Sequence, residues 1–333
     1  MSLTSNLRQK TPIGRLLIEA VIAPSFTTSN MLVEHKAKRW SLIGTAFDYR
    51  VRMGIALSKK IDFVPDIADE AFARKSGHMP VMLAAYNDFE VLEKFAIYAE
   101  KLDALFDLNT ELTHDKKLDI MLAITEDPDF EPTALLLVTS EAHEYMDEWK
   151  EHMDKDGHYI GFRQTVIQQI QDGEDNIDLS KAALKFANWD PYKRAGYYNP
   201  EWDKIEQADA EELEALYKVW QEKFVLNDDD IQMNPAFGDS SRLVGGADAD
   251  LIVGTTLIDW KVINKPRTGL RENMAQLLGY AALAHLEGQT IEHVALYFGR
   301  HGQTVTVKIE DLTDIPLATI AASIKKLSLE DSQ

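Results

Sequence analysis

The stretch Gly245-Gly-Ala-Asp-Ala-Asp-Leu-Ile-Val-Gly-Thr-Thr-Leu-Ile-Asp-Trp-Lys261 decides how this chain reads. Leu243–Val253 and Thr256–Ile263 are rich in β-branched and apolar residues, which predicts two strands, with Gly254-Thr255 as the hairpin turn between them. Side chains alternate faces along a strand. Asp259 and Lys261 therefore point to one side, and Asp250, on the preceding strand, crosses the hairpin to meet Asp259.

Around the hairpin the periodicity changes. Ile231–Phe237 reads as a short strand, and Val294–Phe298 and Thr304–Ile309 as two more. Between them Met274, Leu277, Leu278, Ala281 and Leu283 give Arg271–Leu286 a helical spacing. Leu32–Ser58 is helical by the same test, through Leu42, Ile43, Ala46, Phe47, Val51 and Ile55. Val81–Leu105, Ala134–His152, Ser180–Phe186 and Ala210–Phe224 are amphipathic stretches. Asp209 with Glu212 resembles a capping box opening the last of these. Asp172-Gly-Glu-Asp and Trp189-Asp-Pro read as loop punctuation, and the residues after Glu310 as a short helix and a loose tail. The order helix, long insertion, three strands, helix, two strands is an α/β arrangement.

Composition limits the classes of function. The chain has 333 residues, 45% of them apolar, enough for a real core. No apolar run reaches the ~20 residues that span a bilayer, and Met1–Lys10 is too polar for a signal peptide. Cysteine is absent, which excludes thiolate metal sites. A cytoplasmic protein is expected. The net charge of −20 is unevenly spread: +7 over residues 1–60, −25 over 61–240 and −2 over 241–333. Phosphate is repelled by an acidic surface, but the two ends of the chain would tolerate it. No Gly-x-x-x-x-Gly-Lys-Ser/Thr loop occurs, and His143-Glu-Tyr-Met-Asp147 misses the zinc-protease pattern. His152 and His158 read as exposed. Trp189, Tyr192, Tyr197, Tyr198 and Trp202, beside Lys193 and Arg194, read either as a base-stacking cluster or as an aromatic satellite core.

The chemistry of the hairpin residues is specific. Two carboxylates and a main-chain carbonyl suit a hard cation, Mg²⁺ or Mn²⁺. Such an ion polarises a phosphate and lowers the pKa of an attacking water, and Lys261 would hold that water and offset transition-state charge. An Asp-x-Lys strand is also a common solvated edge with a weak ion pair; the apolar remainder of this strand favours the site. Gln276 and Tyr280, four apart, share a helix face and either look onto the site or form a polar rim. Lys265, Arg267 and Arg271 would meet phosphates or are plain surface.

The ordered set Asp250, Asp259-Trp-Lys261 and Gln276–Tyr280 resembles the RecB-like branch of the PD-(D/E)XK nuclease superfamily. The resemblance covers about 38–58 and 231–310. It implies a restriction-endonuclease-like core, a mixed central sheet flanked by helices, here with a large helical insertion. The expected division is 1–60 helical core, 61–230 acidic insertion, 231–315 core sheet and helix, and 316–333 tail. The resemblance further implies Mg²⁺-dependent hydrolysis of phosphodiester bonds in nucleic acid, DNA before RNA, with Asp250 and Asp259 on the metal, Lys261 on the water, and Gln276 and Tyr280 orienting the lysine or the substrate strand. The family's Gly-x-x-x-His helix has its counterpart in Gly44-Thr-Ala-Phe-Asp48. Asp48 stands where histidine is usual, either as a third metal ligand or paired with Arg52 at i+4. Asp248 competes with Asp250, about 7 Å along the same face at ~3.3 Å per residue; the apolar run after Asp250 matches the family better. A catalytically inactive nuclease-fold scaffold, its acidic insertion binding a basic protein partner, is the alternative. A hydrolase of a small phosphorylated substrate is a third.

Overall fold

Strand alternation and helical spacing build a mixed five-stranded sheet with helices on both faces. The computed structural model describes residues 2–36, 39–61, 63, 162–163, 165–195, 199–226 and 230–330, the side chains of 192–195 excepted. Val81–Leu105, Ala134–His152, His143, His158 and the side chains of Tyr192, Lys193, Arg194, Tyr197 and Tyr198 lie outside the described residues. Residues 1–67 and 169–333 form one compact unit. Residues 169–230, the last part of the expected insertion, lie in this unit.

In chain order the elements are α1 (Leu3–Gln9), α2 (Pro12–Ala20), α3 (Trp40–Lys59), α4 (Ile177–Ala195), α5 (Gln207–Lys223), β1 (Ile231–Met233), β2 (Leu251–Val253), β3 (Thr256–Lys261), α6 (Leu270–Leu286), β4 (His293–Phe298), β5 (Gln303–Lys308), α7 (Ile309–Leu312) and α8 (Leu317–Glu330). The strands lie in the order β1-β2-β3-β4-β5, so β3 is central. It runs antiparallel to β2 and parallel to β4, because β2 and β3 are joined by a two-residue turn and β3 and β4 by the α6 crossover. Gly254 in that turn has φ +55°, a left-handed conformation that costs glycine nothing.

The two sheet faces are read off the alternation. Ile252, Leu257, Val294, Leu296 and Phe298 join the core formed with α1, α2, α6 and α8. Ile258, Trp260 and Tyr297 face the other way. There the Trp260 and Tyr297 rings meet edge-on at 5.6 Å, each also edge-on to Phe224, and Phe47 of α3 stacks on Tyr297 at 6.2 Å. α3, α4 and α5 pack together on that side. Among the described residues no helix is long and apolar enough to cross a membrane.

Several local expectations are corrected. Leu243 and Val244, expected to open a strand, end a 3-10 helix over Gly238–Val244, and β2 is only three residues long. Pro191 lies inside α4, where a loop was expected at Trp189-Asp-Pro. Trp189 is buried and packs edge-on to Trp202 at 5.1 Å, the satellite-core arrangement. Asp209 and Glu212 form no capping box: Glu206 precedes α5 without a side-chain cap. Both acids are buried and paired with arginines instead, Asp209 with an exposed one and Glu212 with a buried one. Asp209 meets Arg39 at 3.1 Å. Glu212 meets Arg300 at 2.5 Å and His35 at 3.1 Å, and accepts the Lys36 N–H at 2.5 Å. The loose tail after residue 316 is instead α8, whose Ile320, Ala321 and Ile324 are buried in the sheet's core.

Candidate functional site

The hairpin register builds the site. Leu251 pairs with Ile258 and Val253 with Thr256. Continued by one residue, that register sets Asp250 opposite Asp259, on the face that carries Leu257. Opposed side chains on antiparallel strands stand about 5 Å apart. The Asp250 carboxylate turns inward and accepts the Trp260 N–H at 2.6 Å. Asp259 is 4% exposed, and its carboxylate contacts the Lys261 ammonium, which is two residues on along the same face.

α6 covers this face with a polar strip. The Gln276 Oε1 accepts from Lys261 Nζ at 3.3 Å, while its Nε2 donates to the Tyr280 hydroxyl at 2.7 Å and to Thr4 Oγ1 at 3.2 Å. Gln276 thus joins the Lys261 amine to the Tyr280 hydroxyl. Burial, and then the negative charges of Asp248 and Asp259, push the Tyr280 phenol well above its usual range; the Gln276 bond pulls the other way.

Asp48 approaches from α3. Its carboxylate is bonded to Arg52 at 2.8 Å. Arg52 is 2% exposed and lies over the Tyr49 ring. Its second terminal nitrogen reaches Asn234 at 2.9 Å when that amide takes the orientation its neighbours require, and Asn234 then donates to the Ala249 carbonyl at 3.1 Å. The Asn234 N–H donates to the Asp250 carbonyl at 2.9 Å, from a residue with φ +55°. Asparagine tolerates that left-handed conformation better than most. Arg52 and Asn234 thus brace the backbone on both sides of the Asp250 Cα. Arg52 was legible as an i+4 partner of Asp48; Asn234 carried no signal in the sequence.

The carboxylates repel one another. Burial, then the charges of Asp259 and Asp48, hold the Asp250 carboxyl well above the usual carboxylate range, against the opposing pull of Lys261 and the Trp260 N–H. Excess negative charge on hard oxygens is the donor chemistry a Mg²⁺ or Mn²⁺ ion would relieve. Asp250 and Asp259 fit such an ion as a pair. Asp48 is held by Arg52, and among the described residues no three acidic or histidine side chains are posed to hold a metal together.

The other basic candidates have partners of their own or face solvent. Arg267 donates to the Phe26 carbonyl at 2.6 Å and Arg271 to the Val21 carbonyl at 2.8 Å, fastening the segment after α2. Lys265 is exposed. Comparison with protein families, with curated proteins and with solved structures gives no match.

Proposed function

We propose that the chain is a metal-dependent nuclease with a restriction-endonuclease-like core, hydrolysing phosphodiester bonds in nucleic acid, DNA before RNA. One observation carries the reading: Asp250 and Asp259 oppose each other across the β2–β3 hairpin, with Lys261 on the same face and in contact with Asp259. The helix–three strands–helix–strand order of α3, β1–β3, α6 and β4 agrees with the core the sequence motifs imply.

Asp250 and Asp259 would hold a divalent cation, and Asp48, whose Oδ2 is bonded to Arg52, would join them through its other oxygen. When bound, that cation supplies Lewis-acid polarisation of the phosphate and acidifies a water. Lys261 orients the water and offsets charge as the phosphorane forms. Gln276 fixes the lysine amine, and the Tyr280 phenol stays neutral and fixes Gln276. Lys265 is free to meet phosphate, whereas Arg267 and Arg271 would have to share their guanidinium groups with the backbone carbonyls they now bind.

A second reading has an observation in its favour. Each carboxylate already has a partner in the protein, Asp48 in Arg52, Asp250 in the Trp260 N–H and Asp259 in Lys261. This is the arrangement of a scaffold that keeps the fold without the metal. Cleavage of labelled single- and double-stranded DNA and RNA, with Mg²⁺ and with Mn²⁺, separates the two. The nuclease reading expects cleavage that falls about 100-fold or more in Lys261→Ala. Equal cleavage by the two proteins would remove the role given to Lys261, and no cleavage of any substrate would favour the scaffold.

A further inference from the structure

We infer that Thr4, in the first turn of the N-terminal helix, is a positioning residue of this site, acting through Gln276 on Lys261; the inference rests on the nuclease reading. A glutamine amide has two ends of different chemistry, and rotating it by half a turn exchanges acceptor for donor. Lys261 requires the acceptor end. The donor-only ammonium sets which end faces it, and two hydroxyls fix where the amide sits by accepting from its NH₂ end: Tyr280 at 2.7 Å and Thr4 Oγ1 at 3.2 Å. Tyr280 belongs to the same helix as Gln276 and moves with it. Thr4 belongs to α1, so it ties the NH₂ end of the amide to an element other than its own helix and the strand that carries Lys261.

α1 is firmly seated. The Leu3 N–H donates to the Gly246 carbonyl at 3.0 Å, and Asn6 Nδ2 donates to the Val244 carbonyl at 3.2 Å. Both acceptors lie just before the strand that follows Asp250. Leu3 and Leu7 are buried in the core. The helix therefore touches the loop leading to Asp250 and the glutamine that meets Lys261, and it fixes their spacing.

The test compares Thr4→Val, which keeps the shape and loses the acceptor, with Thr4→Ser, which restores it. Thr4→Val is expected to lower kcat about tenfold with KM unchanged, the scale of one lost hydrogen bond, and Thr4→Ser to recover most of that loss. A readout independent of cleavage is NMR of the Gln276 side-chain amide and the Lys261 ε-methylene group. Both should shift in Thr4→Val and stay in place in Thr4→Ser. Unmoved Lys261 resonances in Thr4→Val, an unchanged kcat, or equal damage from the two substitutions would overturn the role. Should the unaltered protein cleave nothing, the nuclease reading fails, and the NMR comparison decides whether Thr4 positions the amine.

Discussion

Asp250 sits where its negative charge works against the fold. Its carboxyl takes a proton more readily in the folded chain than its ordinary value of 3.8 allows, because of burial and then its acidic neighbours. Between that ordinary value and the raised one, the folded state binds more protons than the unfolded state. Stability is therefore lost as pH rises through that window, and the loss persists at neutral pH. Asp250→Asn keeps an oxygen for the Trp260 N–H and removes the charge. In EDTA at pH 7 it should melt several degrees above the unaltered protein, with the gain shrinking as pH falls toward 3.8. Melting curves across pH check this; a lower melting temperature at pH 7, or a gain indifferent to pH, would show that Asp250 is not electrostatically strained. The same substitution should abolish cleavage, since it removes half of the carboxylate pair.

At the scale of elements, the site depends on helices that no motif marks. α1 and α2 approach so closely that a Cβ on Gly14 would stand 2.1 Å from the Asn6 carbonyl oxygen. Alanine is a better helix former than glycine by up to about 1 kcal/mol. Overpacking a tight contact costs about 1–3 kcal/mol, and here the obstacle is backbone, which cannot rotate aside. The clash should win: Gly14→Ala loses about 1–2 kcal/mol in urea unfolding and shifts α1 off the site. Unaltered stability would mean the two helices can separate freely. On the other face of the sheet, α3, α4 and α5 are joined by buried charge. Arg50 lies 3.4 Å from the Tyr217 ring centroid and bonds Asp175 at 2.5 Å and Ser180 at 3.1 Å. Burial pushes the Tyr217 phenol up to about 12. Removing a partner leaves the fully buried Arg50 guanidinium short of an acceptor, which costs more than the contact itself is worth.

For the molecule as a whole, the clearest consequence is linkage between cation and fold. A ligand that binds only the native state stabilises it by about 2.7 kcal/mol at a hundred times its Kd. Saturating Mg²⁺ or Mn²⁺ should therefore raise the melting temperature of the unaltered protein by several degrees, and leave Asp250→Asn and Asp259→Asn unmoved. Equal shifts in all three would place the cation elsewhere on this acidic chain. The compact unit also gathers chain ends that are far apart in sequence: Ser29 and Val33 bond to His301 and Arg300 at the β4–β5 connection, and Thr4 to Gln276.

The hairpin was determined by sequence alone. A Gly-Thr turn between two apolar β-branched runs fixes the register, and a two-residue alternation then fixes which acid meets which and where the lysine points. The same local rule made α6 and the Gln276–Tyr280 pair legible. What only the tertiary structure decided lies beyond the reach of local periodicity. Glu212 looks like a capping residue until Arg300, from a distant turn, draws it into the interior. Pro191 looks like a loop until packing holds it in a helix. Asn234, Arg52 and Thr4 reach the site only because separate segments fold against one hairpin. Turn chemistry and side-chain alternation act between neighbours in the chain, whereas burial and charge pairing act between neighbours in space.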